Sequence, residues 1–61
     1  MANLTTKELS ALEDQLGLEG VLCRKYEDAA KNCTDPELKQ QFQGYARQHK
    51  TVYANLLGYL Q

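Results

Sequence analysis

Apolar side chains recur along this chain at alternating steps of three and four, in two separate runs. The first run is Leu9, Leu12, Leu16, Glu19, Cys23, Tyr26, Ala30 and Cys33; the second is Leu38, Phe42, Tyr45, His49, Val52, Leu56 and Tyr59. A period near 3.6 sustained in this way marks an amphipathic helix, and no stretch shows the period of two that a half-buried strand requires. The pattern predicts two helices and no strand. Each run also contains one strongly polar member, Glu19 in the first and His49, the chain's single histidine, in the second.

The ends of both helices are written in the sequence. Thr5-Thr6-Lys7-Glu8 has the S/T-x-x-E form of a capping box, with Leu4 and Leu9 placed to staple across it. Gly17 and Gly20 flank Glu19 and each cost about 1 kcal/mol against alanine in a helix interior, which leaves a kink or break open at that point. In the segment from Asn32 to Glu37, Asp35 suits an N-cap, Pro36 the first helical position and Glu37 the positive end of the helix dipole. The helices are expected over about residues 6–33 and 36–60, as one all-α, antiparallel helical-hairpin domain spanning residues 1–61.

A short turn makes the two arms antiparallel neighbours. Counting outward from Thr34 pairs Ala30 with Leu38, Tyr26 with Phe42, Cys23 with Tyr45, Leu16 with Val52, Leu12 with Leu56 and Leu9 with Tyr59. Glu19 then falls opposite His49. A carboxylate and an imidazole in an apolar layer are costly unless they satisfy each other or hold a ligand. The simpler expectation is a buried Glu19–His49 hydrogen bond, joined by the Tyr45 hydroxyl, that fixes register and oligomeric state and needs no cofactor. The alternative makes Glu19 and His49 ligands of a single divalent metal ion, since facing helices of bundles supply such groups.

Size and charge narrow the picture. A chain of 61 residues buries only about 60% of its unfolded surface, and a lone core this small rarely contributes more than roughly 3–5 kcal/mol. Leu18, Leu22 and Ala29 on the first helix, and Ala46, Tyr53, Leu57 and Leu60 on the second, lie beside the stripes where one hairpin cannot cover them. A homodimer, closing a four-helix bundle about a two-fold axis, is therefore expected. The net charge of −1 mixes both signs along the chain, so nucleic acid is not an expected partner. No run approaches the roughly 18 apolar residues of a membrane span, and no basic-then-apolar leader opens the chain; cytoplasmic synthesis follows as the expectation. Cys23 and Cys33, on one continuous helix, would stand about 15 Å apart, too far for an intrachain disulfide. There is no phosphate-binding glycine loop, no nucleophile beside a base and no Cys-x-x-Cys, so no enzymatic activity is expected.

The stretches LGLEGVLCRKYEDAAKNCTDPELKQQF and ARQHKTVYANLLGYL together resemble the small ferritin-like spore coat proteins of endospore-forming bacteria, akin to the coat F family. The resemblance covers roughly residues 8–61. It rests on Glu19 and Tyr26 in the first helix, the Thr34-Asp35-Pro36-Glu37-Leu38-Lys39 turn, and a histidine followed by a tyrosine- and leucine-rich end. It implies a ferritin-like helical hairpin, a non-enzymatic structural or assembly role in sporulation, other coat proteins as partners and deposition in the spore coat. The wider ferritin-like group also implies a metal-binding alternative, with a glutamate on one helix and Glu-x-x-His on the next. Glu19 and His49 match two of those positions, but the second carboxylate should stand at position 46, where the chain has Ala46.

Overall fold

The structure, a computed structural model, describes residues 3–61; the first two residues of the expected domain lie outside the described residues. Helix α1 spans Thr6–Lys31, helix α2 spans Pro36–Leu57, and a single 3-10 turn, Gly58–Leu60, follows. The second helix was expected to reach about residue 60; its last turn tightens instead, as helix ends commonly do.

Local chemistry sets each end. Thr5 Oγ1 accepts from the Glu8 N–H at 3.1 Å and Glu8 Oε1 accepts from the Thr5 N–H at 2.9 Å, which closes the capping box. The Thr5 backbone N–H, and then the Thr5 side chain, hold the Glu8 carboxyl below its ordinary pKa. At the far end, the backbone and side-chain N–H groups of Asn32 both donate to the Asp28 carbonyl, at 3.2 and 3.0 Å. These bonds end α1 two residues earlier than the periodicity suggests. Cys33 consequently leaves the helical stripe and sits in the turn, with Sγ 3.5 Å from the Asp35 carbonyl oxygen. Cys23 and Cys33 are both free thiols. Asp35 Oδ1 then caps α2, accepting from the Glu37 and Leu38 N–H groups at 2.9 and 3.0 Å.

Helix α1 runs unbroken through both glycines. A Cβ at Gly20 would lie 3.6 Å from the Tyr53 ring, an ordinary van der Waals contact, so the Tyr53 ring lies against α1 at this point.

Two helices side by side make a rod of 45 × 16 × 12 Å. Its radius of gyration, 14.2 Å, compares with about 10.5 Å for a compact domain of the same length. The core is correspondingly thin: among the described residues only Leu16, Ala30, Ala46 and Glu19 are buried. Two placements differ from the sequence reading. Ala46, expected on an uncovered flank, is buried, whereas Leu9, Leu38, Tyr45, Val52 and Tyr59, expected in the core, are 38–55% exposed. The partly covered residues Phe42 and His49 meet α1 through Tyr26 and Glu19. A single neighbour needs only part of the stripe on α2. The small side chain of Ala46 lies toward that neighbour, and the bulky 38/45/52/59 row turns outward.

Candidate functional site

The Glu19–His49 layer forms as the register requires. Glu19 is 6% exposed, projecting from the middle of α1, and its Oε1 lies 2.5 Å from His49 Nδ1 on α2. An ionised carboxylate can only accept, so Nδ1 carries the proton in this bond. The third member of the cluster is not the Tyr45 hydroxyl. Gln15, one turn before Glu19, donates from Nε2 to Glu19 Oε2 at 2.7 Å. Both carboxylate oxygens are thereby occupied. Hydrogen bonding from His49, and then from Gln15, holds the Glu19 carboxyl below its ordinary pKa, against the opposing effect of desolvation. Gln15 was missed because it lies just off the apolar stripe. The available signal was its i, i+4 spacing to the one charged stripe residue.

An aromatic cluster supports the imidazole. The Tyr26 ring lies parallel to the His49 ring, at a 2° interplanar angle with centroids 5.6 Å apart. It also stacks near Phe42 at 6.0 Å and tilts against Tyr45 at 5.4 Å. Phe42, Tyr45 and His49 occupy successive turns of one side of α2, and a single tyrosine from α1 touches all three. The expected Tyr26–Phe42 layer is present, and Tyr26 meets Tyr45 as well. This clamp explains how the imidazole stays oriented although its side chain is 27% exposed.

Chemically the arrangement is a carboxylate-oriented imidazole whose Nε2 makes no hydrogen bond among the described residues. No hydroxyl or thiol among the described residues is hydrogen-bonded to the ring. As a metal set, Glu19 and His49 supply two donors, and among the described residues no third His, Cys, Asp or Glu joins them. Ala46 stands buried where a di-iron pattern would require its second-helix carboxylate. The residues present do not fit a di-iron centre. No helix among the described residues is long and apolar enough to cross a membrane.

Comparison with protein-family models, with curated proteins and with solved structures finds no match for this chain.

Proposed function

We propose that this chain is a non-enzymatic structural or assembly protein that works as a homodimeric four-helix bundle of ferritin-like form. The observation that carries the reading is the uncovered row Leu38, Tyr45, Val52 and Tyr59 on a hairpin with only three buried apolar residues among those described. So thin a core cannot offset the chain's conformational entropy by itself. A second hairpin laid on that row supplies the missing burial, and the bundle then offers its charged outer faces to further components. Placement in the spore coat, among other coat proteins, is supported by the resemblance of residues 8–61 alone. Immunoblotting of coat extracts from spores of the encoding organism tests it. Enrichment in the coat fraction is expected; confinement to the vegetative cytoplasm, or an encoding organism that forms no spores, would contradict it.

One observation favours a second reading, a metal-binding protein. A histidine that donates Nδ1–H to a carboxylate and presents a free Nε2 has the orientation of many metal ligands. In that case His49 is the ligand and Glu19 its orienting partner, and a dimer supplies two imidazoles to one divalent ion. Titration of the protein with zinc while following Tm separates the two: the assembly reading expects no saturable rise, and a rise abolished by His49→Ala would replace it.

A further inference from the structure

Resting on the dimer reading above, the geometry points to one particular pairing. Two copies meet α2 against α2 with their turns at opposite ends, about a two-fold axis that crosses the rod at the Glu19–His49 layer.

Leu38, Tyr45, Val52 and Tyr59 are each seven residues apart, so they fall almost on one line along the rod, two turns between neighbours. The line is centred between residues 48 and 49. An antiparallel copy laid on it pairs Leu38 with Tyr59 of the partner subunit, and Tyr45 with Val52 of the partner subunit. Each pair sets a large ring against a smaller aliphatic side chain, the alternation that lets facing rows interdigitate. The row is therefore self-complementary about its own midpoint, as a two-fold interface requires.

The centre of this row coincides with the polar layer. The paired numbers across the hairpin, Glu19 with His49, place the axis level at the middle of α1 as well. His49, partly exposed beside Tyr45, lies next to the axis.

The opposite arrangement, with both turns at one end, lays the row on itself in parallel and sets Tyr45 against Tyr45 and Val52 against Val52 of the partner subunit, so the alternation of large against small is lost. Charge discriminates in the same direction. The open half of the hairpin, residues 3–19 and 49–61, has two basic and four acidic side chains; the turn half, residues 20–48, has five basic and four acidic. Opposed turns set the acidic half of one copy beside the basic half of the other, whereas aligned turns set like beside like.

The area agrees with a second copy as the occupant. The chain exposes 4868 Å², against about 4000 Å² for a compact monomer of its mass. The excess, about 870 Å², is close to the roughly 800 Å² that each partner contributes to a standard interface.

The test is a distance across the dimer. In a Cys23→Ala, Cys33→Ala background, Thr34→Cys carries a spin label at the turn and dipolar coupling is measured by pulsed resonance. Labels about 40 Å apart or more, roughly the length of α1, are expected. A separation of about 10–20 Å, the spacing of neighbouring helices with label reach, would overturn the orientation and leave the dimer standing. Absence of coupling together with a monomeric mass would overturn the dimer itself. If the thiol-free chain does not fold, isotope-filtered NMR on a mixture of labelled and unlabelled natural chain decides the same question. Contacts between Leu38 methyls and the Tyr59 ring of the other copy are expected, and contacts between the Tyr45 rings of the two copies in their place would overturn the proposal.

Discussion

The two broad faces of the hairpin are built from the same two helices yet differ in almost every physical respect. One presents Leu38, Tyr45, Val52 and Tyr59 along α2, with the Tyr26–His49 stack opening onto it. The other is an open groove bordered by Glu27, Asp28, Lys31, Lys39, Arg47 and Lys50. Charged side chains of both signs at that spacing are content in water and hold no fold together. A tyrosine–valine row is not: exposed apolar side chains gain by being covered. The contrast is between a face with apolar side chains still in water and a face whose charged side chains are at home there.

Breaking the apolar face should have the largest effect. Val52→Asp places a charge at the middle of the row and is expected to abolish the dimer and, with it, cooperative folding, read as loss of helical circular dichroism at micromolar concentration. Lys50→Glu, two residues away but on the groove side, should leave both mass and Tm nearly unchanged. Equal sensitivity at the two positions would remove the distinction between the faces.

Next comes the clamp within the hairpin. Tyr26→Ala removes the one ring that touches Phe42, Tyr45 and His49, and should cost about 2–3 kcal/mol, below the 3–5 kcal/mol typical of a fully buried aromatic. The loss should appear as a lowered denaturation midpoint in urea.

The polar layer gives a smaller, pH-dependent effect. The Glu19 carboxyl is held below its ordinary pKa chiefly by the His49 hydrogen bond. Its contribution is therefore fully present above the unfolded carboxylate pKa and is lost as pH falls through the lower folded value. His49→Leu alone should destabilise near neutral pH by stranding Glu19. The double replacement Glu19→Leu with His49→Leu should match or exceed the natural chain, because apolar groups often outperform buried ion pairs, and it should melt with a weaker acid dependence. Glu8 titrates in the same direction in both proteins, so the difference isolates the pair.

The smallest effect sharpens the comparison along α1. Nothing lies within 4 Å of a Cβ built at Gly17, so Gly17→Ala should stabilise the helix by about 1 kcal/mol without altering oligomeric mass.

Where physics acts locally, the sequence was a sufficient guide. Thr5 with Glu8, and Asp35 with Pro36, form their caps from groups within four residues, so helix existence and starts were legible, as was the opposition of Glu19 and His49 through a short turn. The rotation of α2 about its own axis was not. Periodicity marks a stripe wide enough for two neighbours, and it cannot say which edge of the stripe one neighbour takes. That is why Ala46 proved buried and Tyr45 exposed. The helix end at Lys31 depended on Asn32 folding back onto Asp28, a choice between local bonds that periodicity does not register. Gln15 escaped because a polar residue at a stripe's edge is ordinarily solvated.

Sedimentation equilibrium of the natural chain, at micromolar concentration and neutral pH, tests most directly whether the apolar face is an interface. A mass about twice the 6.9 kDa of one chain is expected, with a Tm that rises as protein concentration rises. A single-chain mass with a cooperative, concentration-independent melt would mean that the hairpin closes its own core, and would contradict the dimer.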